Sequence, residues 1–120
     1  MSKILLVEDN PSQMALMESY LRESGHIVIR LSDPKSAFNK VIEQQPDLIV
    51  TDVVMPGMSG FELCRKLKNN TATANISVII CSSKDQEIDR LWGMKQGAAA
   101  YLTKPFSREQ LLRTVQLAVV

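Results

Sequence analysis

A single histidine, His26, in 120 residues leaves little for zinc chemistry or a Ser-His-Asp triad to work with. Cysteine is nearly as scarce. Cys64 and Cys81 stand far apart in apolar surroundings, which suits reduced cytosolic core thiols better than a disulfide framework or a metal site. Neither sign of charge prevails: 14 Lys and Arg against 13 Asp and Glu give a formal net charge of +1. No global field therefore draws nucleic acid or an anionic membrane, and any electrostatics must be local. No apolar segment approaches the length of a membrane span, and Met1-Ser2-Lys3 leads straight into an apolar run with no signal peptide before it. The expectation is a cytoplasmic protein with no membrane insertion and no direct nucleic-acid binding. Repeats, low-complexity tracts and linkers are also missing, and 45% hydrophobic content is ample for one core, so residues 1–120 are expected to form one domain.

Five short apolar runs are present: Ile4 to Val7, Ile27 to Leu31, Leu48 to Thr51, Val78 to Cys81 and Tyr101 to Thr103. Runs of this kind read as strands buried on both faces. Amphipathic stretches separate them. The first has Asn10 as N-cap, Pro11 at the first helical position and Met14, Met17 and Leu21 on one face before Gly25. The second opens at Asp33-Pro34, buries Phe38, Val41 and Ile42, and closes at Gln45-Pro46. After the turn formers Pro56-Gly57-Met58-Ser59-Gly60, a third carries Leu63, Cys64 and Leu67 inward, and a polar loop follows over 69–75. The fourth spans roughly 85–96, and the fifth opens with the capping box Ser107 and Gln110 to bury Leu111, Leu112, Val115 and Val119. Strands alternating with helices imply an α/β fold, a (βα)5 parallel sheet covered on both faces by right-handed crossovers.

In such sheets ligands gather at the carboxyl ends of the strands, and four of the runs end on polar groups. The first ends at Glu8-Asp9, the third at Asp52, the fourth at Ser82 and the fifth at Lys104. Three carboxylates on neighbouring strand ends repel one another, by about 4 kcal/mol per pair ~4 Å apart at intermediate dielectric. A divalent cation relieves that repulsion. Hard oxygen ligands with room for water select magnesium, for which manganese could substitute. Lys104 offers a compact positive charge to a phosphoryl oxygen and the Ser82 hydroxyl can donate to another. Asp52, alone at its strand end, is the best candidate for a nucleophile that becomes an aspartyl phosphate.

Taken in order, these residues resemble the receiver domain of bacterial two-component response regulators, and the likeness spans the whole chain. Glu8-Asp9-Asn10 looks like the family's acidic pair and loop, and Asp52 with Met55-Pro56-Gly57 like its phosphoacceptor segment. Ser82 resembles its switch hydroxyl, Tyr101 its switch aromatic, and Lys104-Pro105-Phe106 its lysine and proline. The resemblance implies a flavodoxin-like doubly wound sheet in strand order 2-1-3-4-5, a metal site completed by the Val54 backbone carbonyl, and a cis peptide before Pro105. It also implies that Val54 and Lys84 tune the lifetime of the phosphoryl group, and the apolar Val54 cannot orient a water by a side-chain hydrogen bond. The function implied is a stand-alone signalling phosphoacceptor that catalyses only its own phosphorylation and dephosphorylation. It would take a phosphoryl group from a sensor histidine kinase or phosphotransfer protein, and signal to a downstream protein target or a second copy of itself. The Asp89-Arg90-Leu91-Trp92-Gly93-Met94 run is similar to small regulators of pilus-driven motility or phototaxis.

Two rival functions fit less well. A magnesium-dependent phosphohydrolase of the haloacid dehalogenase type would need a second acid two residues after Asp52, where Val54 stands. A flavodoxin-like binding module would need a Ser, Thr and Gly loop after the first strand, where Glu8-Asp9-Asn10-Pro11 would repel a phosphate. The methionines Met14, Met17, Met55, Met58 and Met94 read as packing. Trp92 has two readings. Either Leu91 and Met94 form the core face of the fourth helix and Ile88 with Trp92 makes an outward stripe for a partner, or Ile88 and Leu91 turn inward and leave Trp92 at the boundary.

Overall fold

The apolar runs become five parallel strands in a computed structural model that describes residues 2–119. They are β1 (Lys3–Val7), β2 (Ile27–Leu31), β3 (Leu48–Asp52), β4 (Ser77–Ser82) and β5 (Ala100–Thr103), ordered β2-β1-β3-β4-β5. The connecting helices are α1 (Pro11–Glu23), α2 (Ala37–Gln44), α3 (Gly60–Lys68) and α4 (Glu87–Lys95), and α5 (Arg108–Ala118) closes the fold. This is the flavodoxin-like doubly wound sheet, whose order reverses beside β1 and opens a crevice between the carboxyl ends of β1 and β3.

Strand periodicity divides the core in two. Ile4 and Leu6, Leu48 and Val50, Ile79 and Cys81 pack on Met14, Met17 and Leu21 of α1 and Leu111 and Val115 of α5. Leu5 and Val7, Ile49, Val78 and Ile80 pack instead on Val41 of α2 and Leu63, Cys64 and Leu67 of α3. Caps start the helices where polar side chains can meet free N–H groups. Asn10 accepts from the Gln13 N–H at 3.1 Å, Ser59 from Glu62 at 3.1 Å, and Ser107 from Gln110 at 3.1 Å. Among the described residues no helix is long and apolar enough to cross a membrane.

Several sequence expectations need correction. A 3-10 turn at Pro34–Ser36 takes up the start of the second stretch, and α2 buries Ala37 and Val41 while Ile42 is exposed. An eight-residue helix offers the sheet little more than one row of side chains. In α5 only Leu111 and Val115 are buried, with Leu112 and Val119 half-buried at the margin of the core. The largest departure is α4. It is shorter than residues 85–96, and neither pairing expected for its core face holds, because Ile88, Leu91, Trp92 and Met94 are all exposed. Met94 is therefore not a packing residue. The residue that α4 buries is Gly93, where a Cβ would stand 2.9 Å from Cδ2 of Tyr101 and 3.3 Å from Cε1 of Phe61. The helix approaches the sheet through its smallest residue, which turns its large apolar side chains outward.

Candidate functional site

The same alternation that builds the two cores sorts the rim residues. Ile4 and Leu6 of β1 lead to Glu8 on the α1–α5 face, Leu48 and Val50 of β3 to Asp52, and Ala100 and Leu102 of β5 to Lys104. On the opposite face, Val78 and Ile80 lead to Ser82, and Tyr101 packs there beside them. Register aligns the ends: Val7 pairs with Thr51, Asp52 with Cys81, and Ser82 with Thr103.

Carboxylate oxygens of Glu8, Asp9 and Asp52 lie within 4.8 Å of one another. Nζ of Lys104 donates to Oε1 of Glu8 at 2.7 Å and to Oε1 of Gln13, and stands 3.6 Å from Oδ2 of Asp52. Glu8 is 2% exposed, so its charge is sustained by that ammonium and by the Asn10 N–H, which donates to Oε2 at 3.2 Å. Oδ1 of Asp52 accepts from the Val53 N–H at 2.7 Å. A cluster of hard oxygens, two of them already drawn toward one rim by donors, fits the ligand chemistry of magnesium. Beneath it the fully buried Cys81 thiol is pushed up to about 12, chiefly by burial, with Lys104 opposing the shift and Asp52 and Glu8 adding to it. Cys64, also buried, rises to about 11 for the same principal reason, so both thiols belong to the core.

A cleft of about 420 Å³ opens beside the carboxylates between α1 and the segment after β5, lined by Leu16, Met17, Val54, Pro105 and Phe106, with Asp52 and Lys104 on its wall. Val54 is 62% exposed there, and the Lys104–Pro105 peptide is cis. Across the sheet, the buried Ser82 hydroxyl accepts from the Lys84 N–H at 3.1 Å. The Tyr101 hydroxyl donates to the Lys84 carbonyl at 2.8 Å, while Arg90 lies 5.7 Å over its ring and donates to Oγ1 of Thr103 at 2.5 Å. Burial raises the Tyr101 pKa, with smaller upward pushes from Asp89 and Asp52 and opposing ones from Ser82 and Arg90.

Glu8, Asp9, Asp52 and Lys104 thus meet in one cluster, whereas Ser82 and Tyr101 adjoin it from the other face. Ile88, 66% exposed, and Trp92, 46% exposed with Lys95 5.8 Å over its ring, lie outside it on α4. Sequence reasoning missed Gln13, Gly60 and Gly93. Gly60 is needed because a Cβ there would come within 2.0 Å of the Asp52 carbonyl oxygen, and its place right after the N-cap Ser59 was the available signal. Gly93 gave none, since an isolated glycine in a helical pattern carries no direction.

The protein-family model for the response regulator receiver domain matches residues 4–116. Protein PilH of Pseudomonas aeruginosa is 40% identical over 115 residues, covering 96% of this chain and 95% of that protein. Among solved structures, the chemotaxis response regulator CheY4 of Vibrio cholerae is similar with a TM-score of 0.91 and 29% identity over 98% of each chain. The receiver domain of a Pseudomonas aeruginosa sensor histidine kinase, which has a magnesium ion coordinated in its active site cleft, is similar with a TM-score of 0.90 and 30% identity, covering 98% of this chain and 97% of that one.

Proposed function

The chain belongs to the response regulator receiver domain family, and on that premise we propose that Asp52 is its phosphoacceptor, served by Glu8, Asp9 and Lys104. The observation that carries this reading is the Asp52 carboxylate at the rim, with oxygens of Glu8 and Asp9 within 4.8 Å and the Lys104 ammonium 3.6 Å away, paired with Glu8. A carboxylate oxygen of Asp52 attacks the phosphorus of a phosphohistidine on a kinase or phosphotransfer protein. The P–N bond breaks, and the imidazole leaves with the electron pair. Lys104 meets one developing phosphoryl charge, as its present ion pairs place its ammonium within reach of Asp52. Bound magnesium, held by Glu8, Asp9, Asp52 and the Val54 carbonyl, would neutralise charge on the transferring group.

Readout runs through the other face. Ser82 gives up the Lys84 N–H and turns to the phosphoryl group, the Lys84 backbone moves with it, and Tyr101 responds through its hydrogen bond to that carbonyl. The surface of α4, β5 and α5, with Ile88 and Trp92 exposed, then meets a downstream protein or a second copy of the domain. The likeness to PilH along nearly its full length, and to a chemotaxis regulator, supports a stand-alone cytoplasmic regulator of motility or taxis.

Intact mass after incubation with acetyl phosphate and magnesium tests the central assignment. One added phosphoryl group is expected, and none in Asp52→Asn or in excess chelator. An Asp52→Asn protein labelled at the wild-type rate would overturn it.

A further inference from the structure

Gln13 stands at the third position of α1 behind the N-cap Asn10, where a glutamine ordinarily reaches back to the N–H of the cap residue. Gln110 does this in α5, accepting from the Ser107 N–H at 2.8 Å. In α1 the Asn10 N–H goes instead to Oε2 of Glu8 at 3.2 Å, and the Gln13 side-chain carbonyl turns to the Lys104 ammonium, 91 residues away in the chain. The Gln13 backbone is nevertheless held by the Asn10 cap at 3.1 Å, so the carbonyl is presented from a fixed helix start.

Lys104 carries its charge on a flexible stem between two carboxylates, 2.7 Å from Glu8 and 3.6 Å from Asp52. With those two carboxylates alone, an ammonium with three protons to donate would bridge both and engage the Asp52 oxygen directly. A third oxygen on the α1 side draws it the other way. We propose that Gln13 is a positioning residue that holds the Lys104 ammonium toward Glu8, leaving an Asp52 oxygen free to attack phosphorus, and that it releases the ammonium to the phosphoryl group. The proposal rests on Asp52 as phosphoacceptor. A neutral amide suits the task, because it takes one ammonium proton without adding charge to the acids and yields it to a more strongly accepting phosphoryl oxygen.

The test uses the whole chain, acetyl phosphate and saturating magnesium. In the reaction an Asp52 oxygen bonds to phosphorus, the P–O bond to the acetyl group breaks, and acetate departs with the electron pair. Gln13→Leu should lower the maximal phosphorylation rate about fivefold, the worth of one ordinary hydrogen bond, with little change in half-saturating donor concentration. Gln13→Glu, which restores an acceptor but adds charge to the acids and yields the ammonium less readily, should keep the ammonium tethered and recover little of the rate. The second measurement is made without phosphodonor: the nitrogen-15 resonance of the Lys104 ammonium, slow to exchange when tethered, should keep its position in Gln13→Glu and shift in Gln13→Leu, where the ammonium leaves the α1 side and engages Asp52. A Gln13→Leu protein with the wild-type rate, or with an unchanged ammonium signal, overturns the proposal. Failure of the wild type itself to take up a phosphoryl group would instead sink the assignment of Asp52, and the ammonium signal would still decide the tether.

Discussion

The two faces of the rim hold groups of opposite kinds. Toward α1 and α5 stand Glu8, Asp52 and Lys104, charged and tied by ion pairs. Toward α4 stand Ser82 and Tyr101, neutral hydroxyls that share the main chain of Lys84 through single hydrogen bonds. Their supports differ in the same sense. α1 anchors Met14, Met17 and Leu21 and α5 anchors Leu111 and Val115, while α4 rests on Gly93. Phosphoryl transfer demands fixed charges, since preorganised groups do not reorganise as charge develops. A reporter needs the contrary, contacts weak enough to exchange, because elements that move come from the less stable parts of a fold.

If the charged face is the metal-binding one, Asp9→Ala should weaken magnesium binding by more than about a hundredfold, beyond the loss on removing a group that only orients a ligand, as measured by calorimetric titration. Unchanged affinity would dissolve the distinction between the faces. Anchoring should differ nearly as much: Leu111→Ala in α5 should cost about 2 to 5 kcal/mol in denaturant melts, whereas Trp92→Ala in α4 should cost under about 1 kcal/mol and leave phosphorylation intact. As the only tryptophan, Trp92 should also change its emission on phosphorylation. A large loss of stability for Trp92→Ala with unresponsive emission would return α4 to the core.

Lys104→Ala sharpens the role of the ion pair. It leaves the buried Glu8 without its counter-charge, so the metal-free protein should lose roughly 2 kcal/mol, a cost reduced from that of a fully buried pair by the open rim. Magnesium affinity should not fall, and added magnesium should restore most of the stability. Loss of affinity equal to that of Asp9→Ala would show that the two residues are not separable. The smallest effect is expected on the neutral face. Gly93→Ala gains about 1 kcal/mol of helix propensity but crowds Tyr101, so net stability should hardly move. Its signature should be a weakened Tyr101 hydrogen bond to the Lys84 carbonyl, seen in that residue's amide and carbonyl chemical shifts.

The sequence by itself determined the strand runs, the starts of α1 and α5 and the identity of the charged groups. Aliphatic runs ending in Glu8, Asp52 and Lys104 are local patterns, and caps such as Asn10 and Ser107 act within four residues of the helices they start. The acidic pair and the lysine were legible for that reason, and their resemblance to a known family added the strand order. What only the tertiary structure decided lies between elements distant in the chain. Which face of the rim each polar group joins depends on how strand register aligns with the two helix layers. Whether Gln13 closes its own helix or turns to Lys104 depends on Glu8 having already taken the Asn10 N–H. The outward apolar side of α4 depends on how closely Gly93 lets it approach Tyr101 and Phe61. Periodicity gives a helix an apolar stripe, but only packing says whether the sheet or a partner is to cover it.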